Sequence, residues 1–365
     1  MNLLKIKPCD SLFLGTGKQF NFGDNEFIET KYIPYPSVFF GAIFTAFLAK
    51  NLDFKNTFFK KGLYDHKNIL KIGQIYLYDE KSNTAYIKSP CDLFLYKGNK
   101  VFGEFKEIAN KSSLSFQRIL YTPIDLSDNE ICYERAENHF INIRSLYSGY
   151  KEKYEKTVEV LSYDEVFSVD TKVGIALNKA TRTVEKDKLY KMQQVEFCNR
   201  KWSYIVEYEL NNKYLKDNYG YSNIRNLEQG YLKLGGEAKA CRYSVIENKD
   251  IEKFDVEKKK DIETDRFKVI FTSASYFESD LKKLIEEKFK FLGMANHKPI
   301  FIGGYDLKKS GGARKMYKGY SAGTVLLLER KSSKINIRSE LDSIMNLKDL
   351  EGNKGFNKYI IMEES

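Results

Sequence analysis

Apolar and polar positions along the chain fall into a recurring order of strand and helix signals. Leu3 to Leu14 alternates as a first strand, and a loop follows over Gly15-Thr-Gly-Lys-Gln-Phe-Asn-Phe-Gly23. Val38 to Ala49 is apolar on every face. Phe40, Ile43, Phe44, Phe47 and Leu48 fall at helical spacing there, with Ser37 as the predicted N-cap behind two prolines. A helix apolar all round is a buried one. Ile69 to Tyr78 and Thr84 to Tyr96 read as strands, whereas 103–165 mixes charged and apolar stretches. The span of about 51–165 therefore reads as an insertion. Val173 to Asn178, Leu189 to Phe197, Trp202 to Leu210 and Tyr231 to Ile246 follow as strands. Lys179 to Lys188 is a polar turn or finger, and 211–229 holds a short helix.

Residues 249–265 carry charge of both signs and little to bury, which predicts a linker. Beyond it the periodicity sharpens. Phe267 to Thr272 is a strand. Leu281, Leu284, Ile285, Phe289 and Leu292 mark an amphipathic helix behind Ser279. Pro299 to Tyr305 and Thr324 to Leu328 are strands. Ser339 and Asp342 form a capping box for a helix burying Leu341, Ile344 and Met345, and Lys358 to Met362 closes the chain as a strand. Each half thus reads β-α-β-β-α-β. The expected fold class is α+β, with two ferredoxin-like (RRM-like) domains over 1–248 and 266–365, the first carrying the insertion.

Composition adds a direction. Sixty Lys and Arg against 50 Asp and Glu leave a net charge of +10, which favours an acidic partner. Twenty-six Tyr and 26 Phe supply rings for the cores and for stacking on bases. The five cysteines, Cys9, Cys91, Cys132, Cys198 and Cys241, show no zinc spacing, and their scatter fits a reducing compartment. No signal peptide or apolar run long enough for a bilayer stands out, so a soluble cytoplasmic protein without membrane contact is expected.

The densest chemistry lies between the last half's middle strands. Gly303, Gly304, Gly311, Gly312, Gly319 and Gly323 punctuate a segment carrying Lys308, Lys309, Arg314, Lys315 and Lys318. Glycines let another molecule approach the main chain, and bare N–H groups make anion-sized nests. The segment is either a cradle for a polyanion backbone or a Gly-rich hairpin with a solvated basic face. Catalysis finds less support. His66, His139 and His297 share no motif, although His139 stands near Arg135 and Arg144 in sequence. No carboxylate cluster points to a metal. Gly15-x-Gly17-Lys18 lacks the spacer of a nucleotide P-loop. No catalytic residue, metal or cofactor is expected.

Several short motifs, in order, resemble the RAMP superfamily of CRISPR effector proteins, and within it the third-subunit family of the type III-B (Cmr) complex. They are Ile6-Lys-Pro-Cys-Asp-Ser-Leu-Phe-Leu14, Gly17-Lys-Gln-Phe20, Pro34-Tyr-Pro-Ser37 leading into Gly41-Ala, and Val173-Gly-Ile-Ala-Leu-Asn-Lys-Ala-Thr-Arg-Thr183 with Leu189-Tyr190. Leu234-Gly-Gly-Glu237, Gly303-Gly-Tyr-Asp306 and Ser321-Ala-Gly-Thr-Val325 complete the set. Two positions depart from the family. Gly15 or Thr16 stands where an Arg is usual, and Ser321-Ala-Gly-Thr324 replaces Pro-Ala-Gly-Ser.

The resemblance implies a non-catalytic subunit of an RNA-guided antiviral effector that grips the 5′ repeat-derived handle of the guide RNA. Its neighbours would be the large polymerase/cyclase-like subunit and the first copy of the backbone subunit. An inserted finger, here Lys179 to Lys188, would touch guide or neighbour. The alternatives are a RAMP endoribonuclease that processes precursor RNA, and a scaffold whose basic loops meet acidic protein surfaces. Candidate RNA-binding positions are Lys308, Lys309, Gly311, Gly312, Arg314, Lys315 and Lys318 in the basic loop; Gly235, Gly236, Lys239 and Arg242 at the glycine pair; Lys18 and Phe20 in the first loop; and Lys172, Lys179, Arg182 and Lys191 around the finger.

Overall fold

A computed structural model describes residues 1–15, 27–63, 65–96, 99–107, 118–121, 134–151, 158–178, 180–258, 260, 262–303, 305–306, 312–313 and 315–364. It is an α+β structure of several largely antiparallel sheets. The largest has eight strands, in the spatial order Val160–Ser162, His139–Asn142, Thr84–Lys88, Leu70–Asp79, Trp202–Leu210, Asn2–Pro8, Ala240–Ile246 and Gln229–Lys233. A four-stranded sheet follows, in the order Phe289–Ala295, Val325–Arg330, Arg266–Phe271 and Tyr359–Glu363. Asn2–Pro8 thus lies between Trp202–Leu210 and Ala240–Ile246, and Arg266–Phe271 between Val325–Arg330 and Tyr359–Glu363.

The expected buried helix spans Pro36–Lys50, with Pro36 at its first turn and Tyr35, not Ser37, as N-cap. Proline belongs at that position because its missing N–H would be unpaired anyway. Phe39, Ile43 and Phe47 are fully buried against Ile72, Tyr204 and Val206 of the large sheet. Asp280 and Asn336 cap the helices Leu281–Glu286 and Ile337–Met345 in place of the expected Ser279 and Ser339. Both bind first-turn N–H groups through short side-chain oxygens. No single described helix is long and apolar enough to cross a membrane.

Two expectations about organisation fail. Leu70–Asp79, assigned to the insertion of about 51–165, is a central strand paired with Trp202–Leu210. Its pattern is almost continuously buried because both sheet faces are covered. Ile75 and Leu77 face the Pro36–Lys50 helix, and Tyr76 and Tyr78 face the second half. Alternation disappears when neither face meets water. The strands expected at Val173–Asn178 and Leu189–Phe197 instead form one long hairpin outside the large sheet, Phe167–Leu177 with Val184–Phe197.

The charged linker expected at 249–265 also folds. Lys249–Glu257 is a helix capped by Asn248, with Ile251 and Phe254 buried beside Tyr76 and Tyr147. Two apolar residues one helical turn apart were enough to seat it among charges. The same core takes Ile270, Val325, Leu327, Ile360 and Met362 from the four-stranded sheet, so both halves share it. Buried polar groups cross the same seam. Lys268 Nζ lies 2.8 Å from Asp92 Oδ2, and Tyr150 donates to Asp92 Oδ1 at 2.6 Å.

Candidate nucleic-acid interface

The Gly-rich basic segment is built on a small sheet beside the four-stranded one. Ile300–Ile302 pairs antiparallel with Tyr317–Tyr320, setting Phe301 opposite Lys318. Further out, Tyr305–Asp306 pairs with Gly312–Ala313, so the backbone of Gly312 joins a ladder rather than an open nest. Gly319 has a packing cause: a Cβ there would lie 2.5 Å from the Ser275 carbonyl oxygen. Lys315 and Lys318 are exposed, and Lys315 Nζ lies 5.0 Å from the centre of the Tyr317 ring. Lys308, Lys309, Gly311 and Arg314 lie outside the described residues, as do Lys18, Phe20 and Lys179.

The glycine pair of the first half is a tight turn against the opening segment. Gly235 has φ +75°, and a Cβ on it would meet the Phe13 carbonyl oxygen at 2.5 Å. The Gly236 N–H already donates to that oxygen at 2.8 Å. Lys239 is mostly buried and ion-paired with Asp10 at 3.1 Å. Its hydrogen bond holds the Asp10 carboxyl below its ordinary range. Gly236 and Lys239, both candidate RNA-binding positions, thus also make contacts within the local fold.

This turn also anchors the finger hairpin. Ser11 donates to Gln194 Oε1 at 2.7 Å, and Gln194 Nε2 donates to Glu237 Oε2 at 2.9 Å. Lys172 Nζ is 3.9 Å from the same carboxylate and remains largely exposed. The finger's turn is Asn178–Thr183, shorter than the predicted Lys179–Lys188. Asn178 Oδ1 accepts from the N–H groups of Ala180 at 2.9 Å and Thr181 at 3.1 Å, and Arg182 takes φ +53°. Gly174 leaves room for the Tyr190 ring opposite it, which a Cβ would meet at 2.2 Å. Lys191 is exposed on the returning strand.

Three features escaped the sequence. Tyr231 is 71% exposed and pairs with the exposed Arg242, whose other neighbour is Lys7. The alternation Gln229-Gly-Tyr231-Leu-Lys233 carried that signal. Phe301 and Met316 are exposed beside the basic hairpin. Val173, Ile175, Leu177 and Val184 are exposed along the finger. His139 and His297 are half-buried, and burial lowers both imidazole pKa values. Arg144, near His139 in sequence, is ion-paired with Asp250. Among the described residues no group of three or more His, Cys, Asp or Glu could hold a metal.

A family profile described as "CRISPR-associated protein (Cas_Cmr3)" matches residues 4–364. No curated protein matches the chain. Among solved structures, one similar chain comes from the type III-B Cmr-beta complex bound to cognate target RNA. It is 14% identical with a TM-score of 0.52, covering 98% of this chain and 96% of that one. Another comes from the same kind of complex with target RNA and AMPPnP. It is 16% identical with a TM-score of 0.52, and the coverages are 98% and 95%. At these identities the likeness is one of fold.

Proposed function

The chain belongs to the Cas_Cmr3 family of CRISPR-associated proteins, and from that membership we propose that it is a non-catalytic subunit of a type III-B RNA-guided effector that grips the 5′ handle of the guide RNA. Each half is built on a ferredoxin-like βαββαβ unit. With Leu70–Asp79, Trp202–Leu210 and Ala240–Ile246 taken as second, third and fourth strands of the first unit, four adjacent strands of the large sheet share the order second, third, first, fourth with the four-stranded sheet, which supports this. The chain anchors assembly by meeting the large polymerase/cyclase-like subunit and the backbone subunit, and its finger reaches the guide or a neighbour. The similar chains sit in complexes bound to RNA, which fits RNA and other subunits as partners.

The observation that carries the reading is the basic hairpin, where exposed Lys315 and Lys318 stand beside exposed Phe301 on a paired scaffold. Cations on a rigid edge bind phosphates, and the adjoining ring gives a base a stacking face. The test is the triple change Arg314→Ala, Lys315→Ala, Lys318→Ala, with handle RNA titrated at several salt concentrations. Each lost contact flattens the slope of log affinity against log salt by about 0.7, so by roughly 2 for three. An unchanged slope in a folded variant would sink the cradle. Cleavage of repeat RNA by the purified protein would sink the non-catalytic part.

A further inference from the structure

A cavity of about 380 Å³ opens where the two halves meet, next to the basic hairpin. The first half contributes Tyr32, Tyr35, Tyr86, Tyr163 and Tyr204 to its wall, and the second contributes Ile300, Ser321 and Ala322. The volume lies in the range of small-molecule sites, which runs from about 300 Å³ upward. Its wall is mainly apolar and includes several aromatic rings. The Tyr32 and Tyr163 ring centres are 5.1 Å apart, and Phe140 lies 4.9 Å from Tyr163.

Two amino groups lie against these rings. Lys31 Nζ is 3.2 Å from the centre of Tyr35, and Lys88 Nζ is 4.4 Å from that of Tyr163. Lys31 has no ion pair among the described residues, and Lys88 donates to the carbonyl of Glu137. Burial lowers both lysines to about 8. Ser321 Oγ is buried with no hydrogen-bond partner among the described residues. A hydrocarbon would leave the hydroxyl and the Lys31 amino group without a polar partner. A cation would meet two like charges. What fits rings, a free hydroxyl and two ammonium groups together is a flat aromatic ligand carrying an anion.

We propose that this cavity binds one nucleoside monophosphate unit, its base among the tyrosines and its phosphate on Lys31 and Lys88. The unit is either a free nucleotide or one nucleotide of the guide RNA unstacked from its neighbours. The second source rests on the handle-binding reading above; the first does not.

The test uses the full chain and its Ala322→Phe variant, which fills the cavity, checked for an unchanged melting temperature. Lys31→Gln is a second variant at the cavity edge. AMP, GMP, CMP and UMP, and their nucleosides, are titrated calorimetrically; handle RNA is titrated separately and in competition. At least one monophosphate should saturate the protein, weaken at least tenfold in Ala322→Phe, and weaken several-fold in Lys31→Gln while its nucleoside does not. RNA that displaces the nucleotide identifies the guide as the source. RNA that binds without displacing it identifies a free nucleotide. A tenfold loss of RNA affinity in Ala322→Phe, with no free nucleotide bound, also supports the site with the guide as source. Nucleotide binding by a protein that ignores handle RNA keeps the cavity site and overturns the handle reading. If no monophosphate binds and both variants hold RNA as tightly as the parent, the cavity site is overturned while the handle reading stands.

Discussion

The seam between the two halves and the finger hairpin use similar residues for opposite ends. At the seam, Ile270, Leu292, Val325, Leu327, Ile360 and Met362 meet Tyr76, Tyr78 and Ile205 in a closed core. Polar groups pair across it, Gln74 Nε2 donating to the Thr272 carbonyl at 3.1 Å among them. Gly323 packs so closely on Ser89 that a Cβ would lie 2.4 Å from its carbonyl oxygen. On the finger, Val173, Ile175 and Leu177 repeat with period two yet stay in solvent. The contrast teaches that an alternating strand announces an apolar face and not what covers it. At the seam the chain covers its own face. On the finger that face is open, as suits a surface that meets another molecule.

The sharpest way to break this contrast is at the buried pair. Asp92→Ala leaves Lys268 charged and unpaired inside the seam, and should cost about 3–5 kcal/mol, read as a fall in melting temperature. Asp92→Leu with Lys268→Met should recover much of that loss, because apolar replacement of a whole buried pair is often tolerated. A single variant that melts like the parent would show that the seam does not depend on the pair.

A smaller effect comes from Lys88, whose stem lies against the Gly323 turn. Burial lowers its pKa from 10.5 to about 8. Between those values the unfolded chain holds the proton and the folded chain has released it. Stability should therefore rise as pH climbs from about 8 to 10.5, and be lowest below 8, where the buried ammonium stays charged. Lys88→Met should remove a contribution on the order of 2 kcal/mol from that rise. Denaturant titrations at pH 8 and pH 10 measure it, and equal slopes in parent and variant would place the amino group in water.

The smallest expected change in stability is on the finger. Ile175→Thr with Leu177→Thr should alter unfolding by no more than about 0.5 kcal/mol, since both side chains are exposed. The same double variant should lose co-purification with the other subunits and guide RNA in a reconstituted complex. A clear drop in melting temperature would mean that the chain covers this face itself.

Much of the local structure was legible. The Pro36–Lys50 helix announced itself by being apolar all round, and three strands of the second sheet lay close to where periodicity put them, whereas its fourth, Phe289–Ala295, stands where the end of a helix was expected. Errors arose where burial had a cause distant in sequence. Leu70–Asp79 carried no clean alternation because two bodies cover it. Lys249–Glu257 looked like solvent because two buried residues among charges make a faint signal. The candidate site was legible as chemistry more than as geometry. Lys315 and Lys318 are exposed as a cradle needs, whereas Lys239 and Gly236 already serve partners in the fold.

The sequence alone determined many of the strands and helices, where positive charge gathers, and the family motifs, because propensity, periodicity and charge are local properties. Tertiary structure decided which strand lies at a sheet's centre and that the halves share a core. It also brought Lys31, Lys88 and Ser321 to one cavity although more than two hundred residues separate the last from the others. Those outcomes depend on contacts between distant segments. Their free energy comes from burying surfaces against each other, and no window of sequence contains both sides of such a contact.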